Sequence, residues 1–229
     1  MKLSIIIPAF NEENTIAKII EKIYSAPLSI DKEVIIVNDG SSDNTGKILK
    51  ELQEKYNFIL LEHRENQGKG AAIKTGISCA SGDFILIQDA DLEYDPKDYS
   101  VLLEPLLRGQ ADIVYGSRNL IKNPRSSNLY YWGGQFISSF FNFLYKANIS
   151  DINTGYKVFK KGILEELDLK EKGFSFCEEV TCKALKKGYK IKEVPIHYYP
   201  RSFKEGKKIR WWKDGPRSII IMVKYINFK

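Results

Sequence analysis

Five short apolar runs, separated by helical patterns, occupy the first half of the chain. Residues 3–8 (LSIIIP), 33–37 (EVIIV), 58–63 (FILLEH), 83–87 (DFILI) and 112–118 (DIVYGSR) are rich in Ile, Val, Leu and Phe and are too short to be helices. Between them, Ile16, Ile19, Ile20 and Ile23, then Ile48, Leu49 and Leu52, then residues 69–80, then Leu102, Leu103 and Leu106 follow helical spacing. Asn11 or Asn14 is placed to cap the first helix, with acidic residues in its first turn. This alternation restricts the chain to an α/β class with a mostly parallel sheet. Ligands of such sheets gather beyond the carboxyl ends of the strands. The loops expected there are polar: PAFNEE, NDGSSDNT, ENQGKG, QDADLEYD and GSR.

The fourth loop is the most demanding. Asp89, Asp91, Glu93 and Asp95 alternate after an apolar strand, and alternation in an extended segment would place all four on one face. Like charges so close call for a cation among them, unless the run is a solvated acidic loop. Oxygen-only donors suit a hard divalent ion, Mg²⁺ or Mn²⁺, shared with substrate phosphates. Asp95-Pro96 is also placed to open a helix. Asp39 closes the second strand, where a carboxylate can accept from a base N–H or a ribose hydroxyl. ENQGKG supplies glycine backbone and Lys69 for a phosphate or base, but lacks the spacing of a P-loop. No GxGxxG follows the first strand, which argues against a dinucleotide cofactor.

Charge is uneven. The net charge is +6, yet residues from Lys183 onward carry 14 Lys and Arg against 3 Asp and Glu, leaving 21 basic and 26 acidic residues before them. A basic end of this kind suits a phosphorylated ligand, an anionic membrane or nucleic acid. Trp211 and Trp212 could stack on bases, but the acidic first half and the lack of a nucleic-acid-binding module count against that partner. Cys79, Cys177 and Cys182 show neither disulfide nor zinc spacing. With no signal-peptide pattern and no long apolar stretch, a cytoplasmic location is expected.

Residues 126–145 carry no charge and are crowded with aromatics, among them Tyr130, Phe136, Phe140, Phe141 and Phe143 on more than one helical face. A helix of this kind packs in a core, lies in a membrane interface or lines a lipid groove. Glu178 to Lys187 reads as a helix ended by Gly188, and residues 191–201 as extended. At the end, Ile219, Ile220, Met222, Val223 and Ile226 form an apolar stripe on a basic helix that Asp214 and Pro216 are placed to start.

In order and spacing, IIIPAFNEENTI, IIVNDGSSDNT, NQGKGAAIKTGI, ILIQDADLEYDP and VYGSR resemble the family-2 glycosyltransferases of GT-A fold. DINTGYKVFKK and EVPIHYYPRSFKEGKKIRWWKDG are similar to the branch of dolichyl-phosphate mannosyltransferases and other polyprenyl-phosphate sugar transferases. The resemblance covers nearly the whole chain. It implies one glycosyltransferase domain, with residues 1–118 binding the nucleotide sugar and residues 119–229 forming an acceptor-binding, basic and amphipathic half.

By the same resemblance, Pro8, Phe10, Glu12 and Asp39 hold the nucleotide. Asp89, Ala90 and Asp91 form the Asp-x-Asp motif, with Asp89 near the ribose and Asp91 and Glu93 on the metal. Glu93 stands where relatives often carry Gln. Arg201 and Lys208 close over the donor diphosphate, and Arg118 meets the acceptor phosphate. Asp151, Thr154 and Gly155 shape the acceptor side. Relatives often place a second basic residue in the helix after the GSR loop, where this chain has YYWGGQ; either Arg125 substitutes for it or the acceptor phosphate is held less tightly.

The implied reaction is a single displacement with inversion. It moves a hexose, with mannose from GDP-mannose as first choice and glucose from UDP-glucose as alternative, onto a polyprenyl or dolichyl phosphate. Such a phosphate, with a second pKa near ~6, is already an anionic nucleophile at neutral pH. A saccharide hydroxyl acceptor would need a base, for which Asp151 is the first candidate. Peripheral attachment to the cytoplasmic face of a membrane, with or without a separate membrane-anchoring partner, is expected. A nucleotide-sugar-binding module without turnover is the non-enzymatic alternative. The two histidines, His63 and His197, fall outside the motifs and read as structural or surface residues.

Overall fold

A computed structural model describes residues 1–125, 127–202, 208 and 211–228. Strands β1 (Lys2–Ala9), β2 (Asp31–Asp39), β3 (Ile59–His63) and β4 (Phe84–Ile87) alternate with helices α1 (Ile16–Ser25), α2 (Thr45–Gln53) and α3 (Lys69–Cys79). A short 3₁₀ turn (Pro96–Asp98) and α4 (Tyr99–Leu107) lead into β5 (Ile113–Ser117). Then come α5 (Asn128–Tyr145), β6 (Lys157–Lys160), α6 (Lys161–Glu166), α7 (Phe176–Lys186), β7 (Ile191–Pro195) and α8 (Trp211–Lys224).

The seven strands form one sheet in the order β3-β2-β1-β4-β6-β5-β7. β6 runs antiparallel to both neighbours and the other pairings are parallel. Residues from beyond position 118 thus enter the middle of the sheet, between β4 and β5. Both faces are covered, which explains why the strands read as continuous apolar runs rather than alternating ones. Ile5, Ile7, Ile36 and Leu86 pack on one side with Ile16, Ile19, Ile20 and Ile23 of α1 and Leu102 and Leu103 of α4. Ile6, Ile35, Ile85 and Tyr115 face the other side with Ile73, Phe141, Val180 and Met222. Each such aliphatic side chain stabilises the fold by about 1.5–3 kcal/mol on full burial. On the second face, α3 lies close to β1 because Gly76 has no Cβ; one added there would overlap Ile6.

Several sequence expectations are corrected. Thr15, not Asn11 or Asn14, occupies the N-cap of α1, whose first turn holds no acidic residue. Asn11 instead adopts a left-handed φ of 50°, and its side chain accepts from Ser42 N at 2.8 Å, tying the loop after β1 to the loop after β2. The extended reading of residues 191–201 holds only through Pro195; beyond it a single bridge joins Tyr198 to Tyr94. Helix α8 begins at Trp211 and carries Pro216 inside it, so Asp214 and Pro216 do not start it. Gly188 follows α7 with a left-handed φ of 80°, in keeping with a helix stop there.

Candidate active site at the strand ends

The carboxyl ends of β1, β2 and β4 open into a cleft of about 1740 Å³. Pro8, Phe10, Glu12, Asp39, Lys69 and Asp89 are among its walls. Asp39 is buried, and its carboxylate organises the neighbouring loop. It accepts from Gln67 N at 2.9 Å and Gly68 N at 2.8 Å, and lies 2.6 Å from His63 Nδ1. His63 is therefore structural, as its place outside the motifs suggests, but it orients a carboxylate of the cleft. Its other nitrogen meets Thr75 Oγ1 at 2.9 Å. Gly40, with φ of 66°, lets Glu65 and Asn66 approach so closely that a Cβ would collide with their backbone.

The acidic run does not present four carboxylates on one face. β4 ends at Ile87, and the following residues bend instead of extending. Asp91 Oδ1 accepts from Glu93 N at 3.0 Å, which turns the chain. Asp95 leaves the group: it caps the 3₁₀ turn by accepting from Lys97 N at 3.1 Å, as the Asp95-Pro96 pair suggests. Below the run, buried Gln88 accepts from the hydroxyls of Tyr99 and Tyr156, both at 2.7 Å.

The cations that answer the remaining acids come from distant parts of the chain. Lys69 Nζ pairs with Asp89; burial works against its charge, yet Asp89 carries its pKa upward. Arg201 donates to Asp91 Oδ2 at 2.8 Å and to Glu12 Oε2 at 2.9 Å. Its backbone N–H donates to Glu93 Oε1 at 2.7 Å. Lys208 Nζ reaches Glu12 Oε1 at 2.6 Å. Burial, followed by Asp89 and Glu93, pushes the Asp91 carboxyl up to about 7 despite Arg201 beside it.

Among the described residues, no group of three His, Cys, Asp or Glu side chains is arranged to hold a metal ion by itself. Asp91 and Glu93 nevertheless both bring carboxylate oxygens to the cleft, where Arg201 and Tyr198 now engage them. Mg²⁺ and similar ions commonly take one or two carboxylates and complete their shell with water and substrate phosphates. The residues fit a cation shared with a diphosphate and do not fit an all-protein cage.

Arg118 follows β5 and stands farther along the cleft. It grips Asp151 through Nε and Nη2, each at 2.7 Å, while its backbone N–H donates to the same carboxylate at 3.1 Å. The guanidinium also lies 5.0 Å from the centre of the Tyr198 ring. Burial opposes its charge, but Asp151 holds its pKa well above the usual value. Glu193 of β7 secures this corner by accepting from Ser150 N and Asp151 N, at 2.7 and 3.0 Å. The sequence offers no local sign of that role.

Thr154 is fully buried and donates to Gly116 O at 2.5 Å, so it fastens the turn rather than lining the cleft. Gly155 lies against Asp89, where any Cβ would overlap the carboxylate. Arg125 sits 3.7 Å from the centre of the Tyr131 ring at the outer mouth. Phe10, Ala90 and Glu93 also border the cleft. The base-stacking role considered for Trp211 and Trp212 concerns side chains outside the described residues.

One buried acid went unnoticed in the motifs. Glu178 and Glu179 stand side by side in the first turn of α7, both buried. Glu179 is satisfied by Lys170 N, Glu171 N and Lys183 Nζ, all at 2.7 Å, and Tyr225 Oη at 2.9 Å. Glu178 accepts from the hydroxyl of Ser218 on Oε1, while its Oε2 has no partner among the described residues, and burial pushes its carboxyl up. Two adjacent acids in an otherwise apolar helix start were the available signal.

The sequence description Glycosyl transferase family 2 matches residues 4–168. The chain is 31% identical over 227 residues to the low-salt glycan biosynthesis hexosyltransferase Agl6 of Haloferax volcanii, covering 96% of this chain and 53% of that one. It is 34% identical to a UDP-N-acetylglucosamine–dolichyl-phosphate N-acetylglucosaminyltransferase of Methanococcus voltae, covering 84% of this chain and 83% of that one. It is 29% identical to the dolichol-phosphate mannosyltransferase of Pyrococcus furiosus, covering 90% and 59% respectively. The chain thus spans only slightly more than half of two of these relatives. Glucosyl-3-phosphoglycerate synthase of Mycobacterium tuberculosis, solved with Mn²⁺, UDP and glucosyl-3-phosphoglycerate, superposes with a TM-score of 0.77 at 18% identity, over 100% of this chain and 81% of that one. From the strand-end loops, the sheet order and these matches together, the chain belongs to glycosyl transferase family 2 and has the α/β fold of the GT-A enzymes.

Proposed function

We propose that the chain transfers a hexose or N-acetylhexosamine from a nucleoside diphosphate sugar to a polyprenyl phosphate of the dolichyl type, inverting the anomeric centre. GDP-mannose is the first donor to test, with UDP-glucose and UDP-N-acetylglucosamine as alternatives. The observation that carries this reading is the continuity of the cleft. It runs from the carboxylates beyond β1 and β4, past Arg118, to apolar side chains of α5 such as Leu129, Phe136 and Ile137. A nucleotide sugar, a phosphate and an isoprenoid chain have matching surfaces in that order.

In this reading Glu12 and Asp39 face the nucleoside. Asp91 and Glu93 hold Mg²⁺ or Mn²⁺, with Asp89 and Lys69 beside them. A bound cation would supply charge neutralisation on the departing nucleoside diphosphate. Arg201 and Lys208, paired with Glu12 and Asp91, turn to the diphosphate. Arg118, held by Asp151, positions the acceptor phosphate for attack on the anomeric carbon. That phosphate is already an anion, so no side chain has to remove a proton from it. A saccharide hydroxyl acceptor is less well served, because Arg118 occupies both oxygens of Asp151, its first candidate base.

The same reading places the chain at a membrane surface. Among the described residues no helix is long and apolar enough to cross one. α5 nevertheless exposes Leu129, Trp132, Phe136 and Phe143, and α8 exposes Ile220 and Val223. Exposed Lys122, Arg125 and Arg217 would meet anionic headgroups, each contributing about 1 kcal/mol near such a surface.

The test is calorimetric titration of the three donors with Mn²⁺ and with EDTA, followed by transfer assays to a polyprenyl phosphate and to a free saccharide. Metal-dependent binding of one donor and transfer to the lipid phosphate is the expected result. Transfer to the saccharide alone would overturn the acceptor, and absence of binding by all three donors would overturn the donor class.

A further inference from the structure

Resting on that reading, we infer that Glu178 and Asn153 form the subsite that recognises the hydroxyls of the donor's sugar. Glu178 is only 4% exposed, yet it borders the cleft, and its Oε2 has no hydrogen-bond partner. Asn153 also borders the cleft, and its buried Oδ1 is likewise without a partner. A buried polar atom left unpaired costs about 1–3 kcal/mol, so two in one wall point to a ligand with matching donors. Glu179, the neighbour of Glu178, shows the contrast: four donors satisfy it, and it faces the core.

The placement of both residues is rigid. Lys157, fully buried, donates to Ile152 O and Thr154 O, both at 2.8 Å, and so clamps the turn on either side of Asn153. Ser218 of α8 holds the other oxygen of Glu178. Rigidity of this kind favours a subsite that selects among similar hydroxyl patterns over one that adapts to all of them.

Its position points to the sugar rather than the nucleoside. Gly155, two residues from Asn153, touches Asp89. Cys177, preceding Glu178, lies by Thr154 O and within electrostatic reach of Lys69 and Asp89. The sugar is bonded to the terminal phosphate of the diphosphate. A diphosphate on Lys69 and Arg201 therefore carries it next to this wall, whereas the nucleoside lies toward Asp39. A carboxyl and an amide together offer both acceptors and donors, the set that distinguishes equatorial from axial hydroxyls and a hydroxyl from an acetamido group.

The experiment measures dissociation constants with Mn²⁺ for GDP, UDP, GDP-mannose, UDP-glucose and UDP-N-acetylglucosamine on the full chain. It compares wild type, Glu178→Gln and Asn153→Ala. Glu178→Gln keeps the shape of the side chain and its contact with Ser218, and among the described residues the Asn153 Oδ1 accepts no hydrogen bond whose loss would unfold the turn. The expected result is unchanged affinity for the nucleoside diphosphate, together with about tenfold weaker binding of the preferred nucleotide sugar or a switch of preferred sugar. Equal changes for diphosphate and nucleotide sugar, or no change for either, would overturn the inference. Failure of wild type to bind any of the five ligands would defeat the proposed donor class, and this subsite with it.

Discussion

The strand-end loops and the α5 helix face the same cleft but resolve their exposure in opposite ways. Around Asp91 the protein answers its own charges: Arg201 and Lys208, more than a hundred residues away in sequence, return to pair with Glu12 and Asp91. Along α5, Trp132, Phe136 and Phe143 stay 61–83% exposed, and only Ile137, Ser138 and Phe141 are buried. Charges can be satisfied pairwise by a few well-aimed side chains, whereas an apolar stripe needs an area of matching surface. The contrast teaches where the molecule is complete and where it waits. In the proposed reading, the ion pairs of the polar end exchange for a diphosphate, and the exposed stripe of the apolar end meets a membrane surface.

The polar end should break most severely. Asp91→Ala is expected to lower donor-dependent turnover by about 10³-fold, the scale of a lost charge-stabilising group at a reacting centre. Initial rates at saturating donor, alongside an unchanged far-ultraviolet circular dichroism spectrum, check it. Full activity in this variant would remove Asp91 from the site.

Arg118→Ala tests the junction between the two regions. Turnover onto lipid phosphate should fall by about 10²-fold while the dissociation constant of the donor stays within about twofold. The variant should also lose about 3 kcal/mol of stability, because the buried Asp151 carboxylate is left unpaired. Urea midpoints measure that loss, and weakened donor binding would refute the acceptor role.

At the apolar end, Trp132→Ser combined with Phe136→Ser should weaken binding to anionic lipid vesicles by tenfold or more, roughly the worth of one buried aromatic group. Donor affinity and stability should hardly move, since neither side chain is in the core. Vesicle sedimentation decides the point, and unchanged sedimentation would leave this face without a role at the membrane.

The smallest effect concerns pH. Burial, opposed by Ser218 and Lys157 and reinforced by Asp214, raises the Glu178 pKa above its ordinary 4.5. The folded chain therefore keeps a proton that the unfolded chain gives up. The stability linked to this group is complete below pH 4.5 and is lost as pH rises through the folded-state pKa, at about 1.4 kcal/mol per unit between the two values. Glu178→Gln should flatten that slope in urea midpoints measured across the range. An identical slope in both proteins would mean that Glu178 is ionised in the fold.

How far the sequence reached can be judged element by element. β1 to β5 were legible because both faces of the sheet are covered, which writes each strand as an apolar block. α1 was legible from four isoleucines on one face, but its cap was not. Asn11 is drawn off by Ser42, a partner 31 positions away that no local rule includes. The geometry of the acidic loop was not legible, because a side chain accepting from its own backbone can end extension within two residues. Thr154 was expected at the acceptor and proves to be a buried fastening of the turn. Glu93, expected on the metal, holds the Arg201 backbone and the Tyr198 hydroxyl.

The sequence by itself determined the α/β class, the polar loops beyond the strand ends and the carboxylates available for a cation. Each of these is written in a local period or in a short run of residues with one conformational preference. Only the tertiary structure decided which charges meet. It set β6 between β4 and β5, brought Arg201 onto Asp91 across 110 positions, closed Arg118 on Asp151 and left Glu178, but not Glu179, with a buried oxygen lacking a partner. Pairing energies act over a few ångströms in space, and the positions of partners so far apart in the chain are set by how the strands and crossovers pack.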